Sequence, residues 1–264
     1  MDLGIKGRVA IVTGGGRGIG RETAREFLEA GVKVMTCSRT KAQIEQTCSE
    51  LAKQTGGDIR HIVADTTKPD DIKKLVAETV SAFGTVDILI NNAGTMYSGR
   101  FAEMTDEGLQ KQLDTKLFGF LRGIREVAPI MRKKKWGRIV SMIGGAGKEP
   151  DPYMFGSAIT NSALLNMTKS LSTEFGPDNV LVNAVCPGWV GTALWRQHAE
   201  GLKKELGVAD EEEARRLATR KNALGRFGKP EELASAIAFL CSERASYITG
   251  VSLNLDGGRL KGLW

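Results

Sequence analysis

Two groups of residues in this chain of 264 have types and spacings that can do chemistry. The first is Thr13-Gly14-Gly15-Gly16-Arg17-Gly18-Ile19-Gly20. Its glycines permit a tight turn and a close approach of the backbone. Where such a turn opens a helix, unpaired N–H groups and the positive end of the dipole suit a pyrophosphate. The second group is Cys37-Ser38-Arg39-Thr40. In a dinucleotide site, an acid at this point bonds a ribose 2′-hydroxyl and repels a 2′-phosphate. There is no acid here. Ser38 can donate a hydrogen bond, Arg39 offers a planar fork, and Arg17 adds a second cation. The pattern favours NADP(H) over NAD(H). The alternative is that Arg39 is only an exposed loop arginine.

The elements that must position these groups follow from the spacing of apolar residues. Strand patterns fall at Val9–Thr13, Val32–Cys37, Ile59–Ala64, Val86–Ile90, Arg138–Met142, Val180–Val185 and Val251–Leu255. They are short and almost continuously apolar, as in a sheet covered on both faces. Helical periodicity lies between them, at Arg21–Ala30, Asp70–Phe83 and Ala163–Phe175. The alternation predicts a single α/β domain over residues 1–264, with a Rossmann-like, doubly wound, parallel seven-stranded sheet. The rhythm breaks at about residues 187–229. An insertion beyond the carboxyl end of a strand is where such a sheet builds a substrate lobe. Trp189, Leu194 and Trp195 either line its pocket or pack it onto the sheet.

Composition narrows the function classes. The chain is 41% apolar and 26% charged, which describes a globular protein with an ample core. No apolar run is long enough to span a membrane, and Met1–Lys6 has no apolar signal region. Four scattered cysteines form no CxxC pair, so a reduced, cytoplasmic setting is expected. The only histidines are His61 and His198, and no residues have metal-ligand spacing. The net charge of +6 suits an anionic cofactor or substrate. Its densest cluster, Arg132-Lys133-Lys134-Lys135, fits a helix C-terminus, where cations suit the dipole. Without interleaved aromatics it does not suggest nucleic-acid binding.

With these residues in view, the chain resembles the short-chain dehydrogenase/reductase family over essentially its whole length. Thr13–Gly20 matches that family's TGxxxGxG turn. Asp65 matches its adenine-contacting acid, and Asn91-Asn92-Ala93-Gly94 its NNAG motif. Pro187-Gly188 and Thr192 match PGxxxT, and Asp256-Gly257-Gly258 the closing DGG. The resemblance implies cofactor contacts at Gly14, Gly16, Arg17, Gly18, Ile19, Gly20, Ser38, Arg39, Asp65, Asn92, Ala93, Gly94, Pro187, Gly188 and Thr192. It also implies assembly, usually as tetramers, through helix faces such as Asp106–Met131 and Ser157–Phe175.

The same resemblance implies four catalytic positions, and the chain departs from the pattern at all of them. The family's serine falls on Gly144, its tyrosine on Ser157, its lysine on Asn161 and its helix-borne asparagine on Lys116. A tyrosine acid works there because a cationic lysine and the oxidised nicotinamide lower its pKa. Ser157 has a far less acidic hydroxyl, Asn161 has no charge, and Gly144 cannot hold a substrate oxygen. Two residues could replace the relay. Lys116 should face the same cavity, where a buried amine can act as acid or base or polarise a carbonyl. Tyr153 lies four residues before Ser157. Either residue could instead be structural.

Two functions follow. One is an atypical NADP(H)-dependent oxidoreductase that transfers hydride to a carbonyl, activated alkene or imine-like small molecule without the usual Tyr/Lys relay. The other is a catalytically silent subunit or cofactor-binding scaffold, in a homotetramer or in a hetero-oligomer with an active relative.

Overall fold

The computed structural model describes residues 2–262, with residues 196–198 described by backbone alone. Seven strands form one parallel sheet: β1 (Val9–Thr13), β2 (Lys33–Ser38), β3 (Ile59–Val63), β4 (Ile88–Asn91), β5 (Gly137–Met142), β6 (Val180–Pro187) and β7 (Ser252–Leu255). Their order across the sheet is β3-β2-β1-β4-β5-β6-β7. The chain starts in the middle at β1, winds outward to β3, then returns to β4 and winds the other way. The crevice between β1 and β4, where the direction reverses, is where such sheets bind ligands.

Alternate residues of each central strand feed opposite layers, as a period of two requires. Ala10, Val12, Val34, Ile88 and Ile90 face one layer, built with α1 (Gly18–Glu29), α2 (Lys41–Thr55) and α9 (Pro230–Cys241). Ile11, Met35, Cys37 and Leu89 face the other, built with α3 (Pro69–Phe83), α5 (Gly119–Lys134) and α6 (Phe155–Phe175). All four cysteines are buried and free. The remaining helices are α4 (Asp106–Gln112) before α5, and α7 (Ala193–Leu206) and α8 (Glu211–Thr219) in the lobe beyond β6. Among the described residues, no helix is long and apolar enough to cross a membrane.

Strand limits agree with the sequence pattern to within about two residues, the usual latitude of such boundaries. One helix does not. Periodicity reaches back only to Ala163 and the resemblance to Ser157, while α6 begins at Phe155. The added turns, Phe155-Gly-Ser-Ala-Ile-Thr-Asn-Ser, are rich in small and β-branched residues with weak helix propensity. Packing holds them helical instead, since Gly156, Ser157, Thr160 and Asn161 are all buried. Ser157 and Asn161 therefore lie one turn apart on a single helix face.

The basic cluster closes α5 as expected of a helix C-terminus. Arg132 bonds Asp178 at 2.5 Å, Lys135 reaches the same carboxylate, and Lys134 pairs with Asp87.

Candidate active site

The glycine turn occupies the predicted strand–turn–helix junction, and its neighbours fix it from two sides. The Thr13 hydroxyl donates to the Ile90 carbonyl at 3.1 Å and accepts from the Asn92 and Ala93 amides at 3.0 Å. The Asn92 side-chain amide donates to the carbonyls of Thr13 and Gly14, at 2.9 and 3.2 Å. From the β2 side, the Gly14 and Gly15 amides both donate to the Cys37 carbonyl. Gly15 has no room for a side chain, because a Cβ there would stand 1.9 Å from the Thr36 hydroxyl oxygen. This leaves the N-terminus of α1 open, with Arg17 as its first flanking residue and no side chain capping it. Orphan amides and a positive dipole end are what a pyrophosphate needs.

A groove of about 300 Å³ runs from this turn in both directions. One end is lined by Gly14, Gly16, Arg17, Gly18, Ile19, Ser38, Arg39 and Asp65, joined by Thr40, Gln43 and Thr66. The other is lined by Asn92, Ala93, Gly94, Thr115, Thr192 and Leu194. Burial alone would push the Asp65 carboxyl up. The Thr67 amide and hydroxyl, with Arg39 and Lys68 nearby, hold it below the usual carboxylate range instead. Arg39 is thus close to the groove's outer end, while the Ser38 hydroxyl accepts from the Thr40 amide at 3.1 Å and tightens that turn.

Three implied cofactor positions stand behind this groove rather than along it. Gly20 packs under the turn, where a Cβ would lie 2.5 Å from the Asn92 amide nitrogen. Gly188 packs on the Asp256 backbone, where a Cβ would lie 2.8 Å from the Asp256 Cα. Pro187 ends β6, paired in register with Leu255.

The four positions that the resemblance implies divide into two groups. Lys116 lies in a π-helical segment, Leu113–Phe118, that joins α4 to α5 without interruption. Segments of this kind shift side-chain directions and occur often at functional sites. The aliphatic stem of Lys116 passes Gly94, and its Nζ donates to Asn161 Oδ1 at 2.7 Å. Burial pushes the Lys116 amine down to about 8. The Cys186 thiol is itself pushed up by burial to about 11 and stays protonated at neutral pH. Gly144 faces the same cluster, since a Cβ there would stand 2.7 Å from Asn161 Nδ2.

Ser157 belongs elsewhere. It is 2% exposed, and its Oγ accepts from the Tyr97 amide at 2.8 Å and donates to the Tyr97 carbonyl at 3.0 Å. It pins the loop after β4 to α6. The Tyr97 ring fills the space beside Gly156, and its hydroxyl accepts from the Thr105 amide at 3.0 Å.

Tyr153 is not brought to Lys116. Its hydroxyl meets Gly201 of α7, where a Cβ would lie 2.3 Å away, and bonds Ser98. Burial raises its pKa, with Glu205 and Glu103 adding to the rise, the reverse of what an acid near neutrality requires. Trp189, Trp195 and Phe227 pack together edge to face and stacked, and with Ala199, Leu202 and Ala218 they form a small core within the lobe. Of the three lobe residues singled out by sequence, Leu194 alone lines the groove. Among the described residues no group of histidines, cysteines and acids could hold a metal ion, and the His198 side chain lies outside those residues.

Sequence reasoning overlooked Gln43, Thr66 and Thr115 as groove residues. Thr115 is signalled by its place beside Lys116. Gln43 and Thr66 carry no signal until α2 and the end of β3 are placed.

Comparison with known proteins agrees with this architecture. The family model described as Enoyl-(Acyl carrier protein) reductase matches residues 14–259. The chain is 32% identical to the 3-oxoacyl-[acyl-carrier-protein] reductase FabG of Aquifex aeolicus (strain VF5), over 98% of this chain and 99% of that one. The crystal structure of L-sorbose reductase from Gluconobacter frateurii, complexed with NADPH and L-sorbose, superposes with a TM-score of 0.93 at 33% identity, covering 100% of both chains. That of YwfH, an NADPH-dependent reductase involved in bacilysin biosynthesis, superposes with a TM-score of 0.90 at 28% identity, covering 97% of this chain and 99% of that one. With its sheet order, its glycine turn and these relatives in agreement, the chain belongs to the short-chain dehydrogenase/reductase family.

Proposed function

We propose that this chain is a cytoplasmic, NADP(H)-dependent oxidoreductase that reduces an activated alkene, carbonyl or imine-like carbon, with Lys116 in place of the usual tyrosine acid. The observation that carries the reading is Lys116 itself, whose stem passes Gly94 at the inner end of the groove and whose Nζ is held by Asn161. Bound NADPH supplies the hydride. The chain supplies the rest. The glycine turn and the α1 N-terminus hold the pyrophosphate, and Arg17, Ser38 and Arg39 meet the 2′-phosphate. Lys116 donates a proton, or steadies the negative charge that develops on a substrate oxygen. Reduction is the favoured direction, because a fixed cation near the nicotinamide disfavours its positively charged oxidised form. The NADPH named in the titles of two structural relatives supports the choice of cofactor.

The test is a fluorescence titration with NADPH, followed by NADPH oxidation against enones, activated ketones and cyclic imines. Tight binding with turnover of one class is expected. Absence of NADPH binding removes the reading. Arg39→Asp should weaken NADPH binding relative to NADH by about 10–100-fold, the scale of a charge-assisted hydrogen bond. An unchanged ratio would leave Arg39 as an ordinary loop residue. Tyr153→Phe should leave turnover within about twofold, far from the 10²-fold or more of a lost acid. A larger loss would return the proton to Tyr153.

A second reading, a silent subunit or scaffold, is favoured by one observation. Ser157 spends its hydroxyl on the Tyr97 backbone, so the usual acid position is wholly structural. Phe118 at 42% and Ile159 at 43% exposure lie on the helix faces through which we propose assembly, as a homotetramer or with an active relative. NADPH binding without turnover against any class, together with co-purification of a related chain, would favour this reading.

A further inference from the structure

Three of the four departures touch one another, and the fourth does not. Asn161 is 2% exposed and wedged beneath the loop that follows β5. A Cβ at Gly147 would stand 2.7 Å from its Cβ, and one at Gly144 would stand 2.7 Å from its Nδ2. Its Oδ1 accepts from Lys116 Nζ at 2.7 Å. Lys116 reaches that point from the opposite wall, its Cδ and Cε lying 3.9 and 4.0 Å from where a Gly94 Cβ would be. No serine fits at position 144 while Asn161 holds this pose.

We infer that Asn161 is the positioning residue for Lys116, and that Lys116, Asn161 and Gly144 act as one unit. In it the amine and the amide have traded helices, and the missing side chain at 144 makes the room. The inference deepens the reading of Lys116 as the acid, and its consequence for catalysis rests on that reading. A lysine carries four rotatable bonds and about 2 kcal/mol of rotamer entropy, so an unheld ammonium would wander. A neutral amide oxygen fixes it without adding charge. A carboxylate in the same place would hold the proton too tightly for an acid working near neutrality, and an apolar group would discharge the amine. The other group close to Lys116, Cys186 of β6, does not substitute for Asn161, since it is a neutral thiol. Asp114 and Ser157 are engaged elsewhere, with Arg122 at 3.8 Å and with the Tyr97 backbone.

The experiment is the pH dependence of Lys116 acetylation by acetic anhydride, read by mass spectrometry on the full chain without cofactor. The wild-type midpoint is expected near 8. Asn161→Leu should lower it by about one pH unit and Asn161→Asp should raise it by about one, since only the acceptor changes. Gly144→Ala should move it in the same direction as Asn161→Leu, because the new Cβ displaces the amide. A purely structural asparagine would not give opposite shifts for leucine and aspartate. Midpoints unmoved in all three variants overturn the inference.

A second arm measures the urea midpoint of unfolding. Asn161→Lys alone sets two buried ammonium groups against each other and should lower it. Adding Lys116→Asn should restore most of the loss. A double variant no better than the single overturns the exchange. If the labelling midpoints shift as stated while Lys116→Met keeps full turnover, the positioning stands and the catalytic reading fails.

Discussion

Lys116→Met is expected to lower NADPH-driven turnover by about 10²–10⁴-fold, the usual value of a positioned acid. Methionine keeps the length of the stem that passes Gly94 and removes only the ammonium. NADPH affinity should therefore change little, and the loss should appear in kcat. The pH profile supplies an independent check. Burial holds the Lys116 amine near 8, against an ordinary 10.5. The donor form is present below 8 and lost above it, so reductive turnover should fall as pH rises through 8. In Lys116→Met the residual rate should show no such fall. Stability should respond with the opposite sign. Between 8 and 10.5 the unfolded chain holds this proton and the folded chain does not, so folding is favoured as pH rises across that window. A wild-type profile flat from pH 7 to 9 would argue against Lys116 as the acid.

Asp87→Ala is expected to cost about 3–5 kcal/mol of folding stability, the scale for removing one partner of a buried ion pair. The carboxylate sits at the amino-terminal edge of the sheet, and its side chain is 3% exposed. One oxygen accepts from the Val9 amide at 2.9 Å, which ties the start of β4 to the start of β1. The other pairs with Lys134 and lies 3.7 Å from an Arg8 nitrogen. Alanine leaves a buried amide without an acceptor and two cations facing each other. Urea denaturation of wild type and variant measures the effect, and a loss below about 1 kcal/mol would place the pair in the class of solvated surface bridges. The site lies across the sheet from the groove, so NADPH affinity per folded molecule should not change.

The two predictions draw on different kinds of legibility. The sheet that holds Asp87 could be read directly, because runs such as Val9–Thr13 and Val180–Val185 are apolar on both faces and end at turn residues. The glycine turn is equally plain, since its chemistry is local: a strand, five glycines within seven residues and a helix start. The inner site was harder. Position by position, Gly144, Ser157, Asn161 and Lys116 stood out as departures. Their grouping did not, because Lys116 and Asn161 lie 45 residues apart and meet only when α6 crosses the joined α4–α5 rod. Two local features were also hidden. The first turns of α6 have poor helix propensity and form through burial, and a π-helical segment such as Leu113–Phe118 has no composition of its own. Tyr153 looked like a candidate by spacing along the chain. Ser98 of the loop after β4 and Gly201 of the lobe claim its hydroxyl, which spacing cannot reveal.

The Ser157 hydrogen bonds to Tyr97 bear on which substitutions this chain can accept one at a time. A tyrosine at 157 would strip the Tyr97 amide and carbonyl of their shared partner before it gained a lysine to work with. A serine at 144 would collide with Asn161, and a lysine at 161 would meet Lys116. Each single substitution toward the relay that the resemblance implies is therefore opposed by a residue that must change as well. The four positions behave as an interlock, which yields to a concerted change of several residues more readily than to a change at any one of them.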